Sequence, residues 1–583
     1  MKGKVVWVIV TGLMVTALVL ASCGPAATTT PPTTAPPTTT PKPTGEPQYG
    51  GTLTINLGRA ISGFDEYYFA PWNCQALEVT NEKLLTADWK RGPVGTNEMP
   101  TCSGFFPEFE IGNLAESWEF VDPNHIILHI RKGIYWQNKP PVNGRELVAN
   151  DVCFSLNRIA ESKAAYITAT NPGWHQKATA TDKYTVDWRV NDAASPTAMG
   201  WEYHVEYLRI VAPECMAAPG DLREWKNACG TGAFILEDYV PGSSAIFRRN
   251  DNYWGKDPFY PQNQLPYADK LKMLIITDSS TQMAAVRTGK LDIVGGLSID
   301  DEKSFASTNP KMGWHSEQAT SPFMIYVRCD LPPTNDVKVR RALHMGVDLQ
   351  GIVKDYYSGN ALFYWWPVPN WGVFKGAYTP FEELPQSIKE LFVYNPDQAK
   401  KLLAEAGYPN GFKISILVSA TPSKNVDFLS LIKDYWSKIG VDLQIDAKEY
   451  SVVESIWTAK TYTGMCYHWN SSITLPRKAL ETKKGSPYNY GMISDPYNDE
   501  RRDKIWVFEN MKNFELQNRL TKEMALHYLE QCYSIQTPSE LFFTGWHPWV
   551  KGYGGAESVG YGNYYNWAKY VWIDEALKTS MGY

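Results

Sequence analysis

Asn395-Pro396-Asp397-Gln398-Ala399-Lys400-Lys401-Leu402-Leu403-Ala404-Glu405-Ala406-Gly407 opens the stretch whose reading decides the fold. It is followed by Phe412–Ala420 (FKISILVSA), Asp427–Ile439 (DFLSLIKDYWSKI) and Val441–Glu449 (VDLQIDAKE). Asn395 is an N-cap residue, Pro396 suits the first helical position, and Asp397 places an acid in the first turn. Gly407 ends that helix, and Gly440 ends the one beginning near Asp427. Each helix is followed by a strand of apolar and β-branched residues. Helix–strand alternation at this spacing predicts a βαβ lobe with a largely parallel sheet.

Upstream, Asp336 is expected to cap a further helix over 337–357. The first half is instead rich in strands. Gly51–Leu57 reads as one. Asn113–Lys132 reads as a hairpin turning at Asp122-Pro123-Asn124. Asn150 or Asp151 caps a helix running through Arg158. Thr231–Val240 is a strand that Pro241-Gly242 turns back into Ala245–Arg249, as a type II turn requires. The order is a strand-rich lobe, an α/β lobe and a short aromatic tail, with no internal repeat.

The 583 residues carry a formal charge of −6, with no basic block beyond Lys483-Lys484 and Arg501-Arg502, which argues against a nucleic-acid partner. The chain has 22 Trp and 34 Tyr, so its aromatic rings serve either the core or a stacking surface for a ligand. At the N-terminus, Lys2 and Lys4 precede the apolar run Val5–Leu20, which is short for a membrane span. Leu20-Ala21-Ser22-Cys23 resembles a bacterial lipobox, in which Cys23 becomes the lipidated first residue. An ordinary secretory signal beside a cysteine is the competing reading. Pro25–Pro47, almost wholly Pro, Thr and Ala, favours the lipobox because it reads as an extended tether. This predicts a signal peptide over 1–22, a lipidated Cys23 with a disordered linker over 23–47, and attachment to the cell membrane by lipid alone on the extracytoplasmic face.

Export permits disulfides, and eight cysteines remain besides Cys23. Cys74 with Cys102, and Cys215 with Cys229, are the candidate pairs. A bridge closing a loop of about fifteen residues would contribute about 3 kcal/mol. Cys153 lies in a helical apolar pattern and reads as a buried thiol. There is no C-x-x-C for zinc, no G-x-S-x-G, no H-E-x-x-H and no Walker-type phosphate loop. No cofactor or metal is expected. His125 and His129 share a strand face, where a solvated pair is expected in preference to nickel ligands. A secreted carbohydrate-active enzyme is the alternative of a different class: the acidic composition allows a carboxylate pair, but no motif points to one.

Several blocks together resemble the extracytoplasmic solute-binding proteins of ABC importers, family 5, the dipeptide/oligopeptide/nickel class. They are Gly50–Leu53, Asn113–Trp118, Leu128–Trp136, Asn150–Ser155, Gly230–Phe234 and Asn252–Lys256, then Asp336–Leu343 and Tyr394–Leu403. Their order spans nearly the whole mature chain. The resemblance implies a non-catalytic protein with an α/β, two-lobed, periplasmic-binding-protein-like fold of type II, large class with an extra subdomain. A ligand cleft would lie between lobes joined by two hinge strands, near Ser321–Arg328 and Phe542–Trp546. Lobe one would be residues 48–319 plus 546–583, and lobe two 320–545. The partners implied are a peptide or oligosaccharide ligand and ABC permease subunits, with the binding protein itself a monomer.

Peptide-binding members resemble one another in a Gly-Trp-x-x-Asp stretch whose acid pairs with the peptide ammonium. Here the matching stretch is His468-Trp469-Asn470-Ser471-Ser472, and Ser472 stands in the acid's place. Losing that charge-assisted bond would cost about 1.5–3 kcal/mol. Arg328 stands where the family usually shows Asn. It either faces the cleft to hold an anionic group or is paired with an acid in the hinge. Trp72, Trp365, Trp366, Trp371, Trp469 and Trp546 are candidate cleft aromatics, and the loop placement of Trp365, Trp366 and Trp371 favours ligand stacking over core. The candidate ligand-binding set is therefore these six tryptophans with Arg328, Asn470 and Ser472.

Overall fold

Apolar alternation in Thr52–Asn56 buries Leu53 and Ile55 and leaves the residues between them partly exposed, which makes this segment strand β1. The computed structural model describes residues 45–583 apart from 69–73, 97, 99–108, 164, 166–167, 169–174, 192–207, 319–321, 371, 470–478, 487, 511–512, 556–557 and 559–563.

The expected hairpin forms as β2 (Ala115–Asp122) and β3 (His125–Ile130). With β4 (Gln176–Ala180) and β5 (Thr185–Val190) it makes an antiparallel sheet in the order β2-β3-β5-β4. Helix α1 (Ala149–Glu161) packs on β4. It starts one residue before the expected caps, because Asp151 reaches back from the first turn to the Val148 amide at 3.0 Å. Strands β6 (Phe234–Val240), β7 (Ser244–Arg249) and β8 (Lys270–Leu274) continue to β1 in the order β1-β8-β7-β6. Only the β1–β8 pair is parallel in this sheet.

Helices α2 (Ser279–Arg287) and α3 (Ile299–Thr308) flank β9 (Ile293–Leu297), and β10 (Gly313–Gln318) follows. The chain then enters a further sheet, that of the second half, through β11 (Phe323–Val327). The helix expected over 337–357 is two helices, α4 (Val337–Met345) and α5 (Leu349–Asp355). The break has a local cause: the Asp348 carboxylate accepts the Gly351 amide at 2.8 Å and starts a new helix there. A two-residue strand, β12 (Ala361–Leu362), comes next.

The opening stretch folds as it reads. It gives α6 (Pro396–Glu405), β13 (Phe412–Ser419), α7 (Lys424–Ser437) and β14 (Val441–Lys448), then α8 (Tyr450–Ala459) and β15 (Met465–Trp469). Asn395 accepts the Gln398 amide at 3.0 Å. Phe428, Leu429, Ile432 and Trp436 form the buried face of α7, and the Trp436 indole donates to the Leu343 carbonyl at 2.8 Å. β13 and β14 run parallel from Phe412↔Val441, where Gly411 meets the Gly440 backbone too closely for a side chain. The sheet order is β14-β13-β15-β11-β16, with β16 at Ser534–Ile535. Its β13 pairs are parallel, whereas β11 pairs antiparallel with β15 and β16, so the sheet is mixed.

Helices α9 (Pro496–Ile505) and α10 (Phe514–Glu530) lead back to β16. The next strand, β17 (Ser539–Trp546), lies between β9 and β10 in the first half's sheet. The change of sheet therefore falls at 536–538, ahead of the Phe542–Trp546 stretch singled out from sequence. Two large hydrophobic cores result. One draws on residues 53–293 and 549–573, the other on 325–535. Leu480 and Tyr488 pack with the first core despite their position in the second half. Among the described residues no helix is long and apolar enough to cross a membrane.

Candidate functional site

The ends of β1 and β10, the first four residues of β9 and the middle of β17 wall a cavity of about 450 Å³. The β1 end is fixed by Asn56, whose side chain donates to the Ile276 carbonyl at 3.0 Å and accepts the Ile276 amide at 2.9 Å. Across the cavity, Gly295-Gly296 interrupts β9. The register of β9 on β17 shifts between Val294 and Leu297, and a Cβ on Gly296 would meet no atom within 4 Å. The glycines thus leave the wall open. Gln282, Glu317, Gln318 and Thr544 supply polar groups, and Tyr553, Tyr565 and Trp567 supply aromatic surface.

A second cavity of about 330 Å³ lies between the start of α3 and the second core. Ser298–Asp300, at the start of α3, form one side. Tyr356 and Tyr357 after α5, Lys424, Asn425 and Phe428 on α7, and Tyr467 on β15 form the other. Phe428 and Tyr467 stack at 5.6 Å and 19°, and Phe323 tilts against Tyr467 at 5.2 Å. Burial pushes the Tyr357 and Tyr467 phenols well above the usual range, so both stay neutral donors. Lys424 Nζ lies 3.3 Å from Glu540 Oε2, tying α7 to the start of β17. Phe542 of β17 borders both cavities. The arrangement suits an uncharged or amphiphilic organic solute held between aromatic faces and a few amides.

Trp365 and Trp366 do not line either cavity. They are 3% and 1% exposed in a core with Met324, Tyr326, Trp457 and Tyr528, and the Trp365 indole donates to the Thr537 carbonyl at 2.7 Å. This corrects the expectation drawn from loop placement: the loop folds inward because these two side chains are its anchors. Arg328 takes the second of its two readings. Its guanidinium grips Asp330 at 2.6 and 2.7 Å and the Tyr462 carbonyl at 2.6 Å, so it is committed to the hinge region. Trp469 is half-buried at the end of β15, in register with Phe323. Next to it, buried His468 lies 2.8 Å from Glu454 and stacks on Trp457, which fixes that strand end. Trp546 packs edge-on against Tyr553 at 5.3 Å beside the first core. Trp72, Trp371, Asn470, Ser472, Cys23 and Cys102 lie outside the described residues.

Cys215 and Cys229 are buried free thiols, not a bridge: the Cys215 thiol donates to the Cys229 carbonyl at 3.7 Å. The bridge expected from their loop is therefore corrected, and burial pushes both thiols up, to about 11 and about 12. Cys74 is likewise a buried free thiol. His125 sits 3.0 Å from Asp187 and His129 3.2 Å from Glu119. Each histidine has its own carboxylate, so the two share no ligand set.

Sequence reasoning missed Asn56, Tyr357, Asn425 and Phe428, and named Phe542 for the hinge but not for a cavity wall. One signal was available, the Gly295-Gly296 pair inside an apolar strand, which marks a bulge or an opening.

A family model, bacterial extracellular solute-binding proteins, family 5, matches residues 111–491. The chain is 25% identical to the heme-binding protein A of Haemophilus influenzae over 461 residues, covering 76% of this chain and 81% of that protein. It is 25% identical over 378 residues to the dipeptide-binding protein of Escherichia coli, covering 59% and 65%. The periplasmic binding protein DppA of Helicobacter pylori, solved with the peptide STSA, superposes with a TM-score of 0.66 at 20% identity, over 90% of this chain and 99% of that one. The α/β fold is that of the two-lobed periplasmic binding proteins.

Proposed function

Because this chain belongs to the bacterial extracellular solute-binding proteins of family 5, a non-enzymatic class of transport component, we propose that it captures a peptide-class solute and delivers it to an ABC permease. The observation that carries this reading is the cavity between α3 and the second core, with Phe542 of β17 bordering both it and the larger cavity beside β1. A solute there touches both halves of the chain, so its binding favours a closed form that a permease can distinguish from the open one. The two lobes follow these halves, with the return crossing at 536–538 between β16 and β17. Trp469, half-buried at the end of β15, is a proposed ligand contact, and Trp72, Trp371, Asn470 and Ser472 are proposed on sequence alone.

The relative named for dipeptides and the structure solved with a peptide support a peptide-class ligand. Burial of Trp365 and Trp366 removes the main support for an oligosaccharide. Lipidation at Cys23, with the Pro/Thr tract as spacer, holds the body outside the membrane and near the permease.

The test is to free the purified protein of ligand, incubate it with a defined mixture of di- to pentapeptides, and identify what co-elutes. Stoichiometric retention of intact peptides is expected. Turnover without retention would overturn the proposal.

A further inference from the structure

Two side chains bordering the cavity between α3 and the second core carry a polar atom without a partner among the described residues. Asn425 is 5% exposed and Ser539 1% exposed, and both border the cavity. Neither Asn425 Nδ2 nor Ser539 Oγ has a hydrogen-bond partner among the described residues. Unmet buried polar groups are costly and uncommon, and two bordering one cavity mark a place where a bound group completes them.

The charges there narrow the class of that group. Lys424 and Glu540 pair at 3.3 Å, so among the described residues Asp300 is the one other charged group lining the cavity. Asp300 stands at the rim with its side chain 84% exposed. The walls are rings: Phe323, Tyr356, Tyr357, Phe428 and Tyr467. At about 330 Å³ the space is at the small end of ligand pockets, enough for one large side chain with its peptide unit but not for a whole peptide. Phe542 separates it from the larger cavity, where Asn56, Gln282, Glu317 and Gln318 provide polar lining for the remainder of an extended solute.

We propose that this cavity is the specificity pocket for an aromatic or large apolar side chain of the solute, with the neighbouring carbonyl held by the Asn425 amide and the Ser539 hydroxyl. The inference rests on the peptide reading above. Tyr357, Phe428 and Tyr467 then select the side chain by ring packing, and Asn425 and Ser539 set the register of the backbone beside it.

Calorimetric titration of the ligand-free protein with Phe-Ala-Ala, Ala-Phe-Ala, Ala-Ala-Phe and Ala-Ala-Ala tests it, alongside Asn425→Leu and Ser539→Ala. At least one phenylalanine peptide should bind ten times or more tighter than trialanine. Asn425→Leu should weaken that peptide about tenfold while leaving the melting temperature unchanged or higher, because no native hydrogen bond is lost. Ser539→Ala, the smaller change, should act in the same direction and serves if the leucine variant does not fold. Phenylalanine peptides that bind no tighter than trialanine, or variants that bind them as the parent does, overturn the pocket and leave the peptide reading standing. Failure of all four peptides to bind overturns both.

Discussion

Asp292, wholly buried, accepts the Lys578 ammonium at 3.1 Å. The same oxygen takes the Trp549 indole at 2.7 Å, and the other takes the Thr54 amide at 2.7 Å. One carboxylate thereby ties the C-terminal helix (Glu575–Ser580) to β1 and to the start of β9, whose next residues wall the larger cavity. Removing the charge from one member of a buried pair costs about 3–5 kcal/mol. Asp292→Asn is therefore expected to lower unfolding stability by about that amount in a denaturant titration. Lys578→Met leaves the wholly buried carboxylate without its cation and should cost at least as much, whereas Lys578, with its side chain 19% exposed, can turn to water when Asp292 is replaced.

Trp366 is expected to behave as a core residue. Trp366→Ala should destabilise the protein by about 3–5 kcal/mol. Calorimetry would show a steep fall in melting temperature, with peptide affinity near the parent's under conditions where the variant is folded. Loss of affinity with unchanged stability would return this tryptophan to the cleft.

Arg328 is expected to matter for the hinge region and not for ligand charge. Asp330 is partly exposed, which discounts the ion pair, so Arg328→Ala should cost about 1 kcal/mol. Titration of the variant with peptides differing by one carboxylate should give the parent's affinity ratio.

The parts of the fold that were legible in sequence are those governed by local rules. Asn395-Pro396 started a helix, Gly440 ended one, and Asp122-Pro123-Asn124 turned a hairpin, because caps and turns depend on residues a few positions apart. The break between α4 and α5 was missed although Asp348 was visible, since a capping residue competes with helix continuation and sequence alone does not fix the winner. The site was far less legible. Its residues come from β1, α7, β9 and β17, and only folding sets Asn425 beside Ser539. Trp365 and Trp366 misled because a loop position is a prior for exposure, whereas a ring's contacts with distant residues such as Thr537 and Tyr528 decide its burial.

Acid should weaken the fold through its buried histidines. Burial lowers His344 from its ordinary 6.5 to about 4, and its ring sits 2.8 Å from the Leu391 carbonyl. Burial also lowers His315 and His547. A histidine whose folded-state value is depressed contributes stability that is present above the unfolded value and is lost as pH falls toward the folded one. Stability should thus decline between about pH 6.5 and pH 4, by up to about 3 kcal/mol for His344. Melting curves across this range should show a shallower decline for His344→Leu than for the parent, even though the variant starts less stable at pH 7.5. Parallel curves would mean that His344 does not titrate in this way.

The most direct measurement of the central claim, capture of a peptide between the two halves of the chain, is native mass spectrometry of the protein isolated from its own host without denaturation. A fraction of the molecules is expected to carry one added mass per chain, released by mild activation and sequenced as a peptide. A retained species that is not a peptide, or peptide bound in no fixed ratio to the chain, would contradict the account.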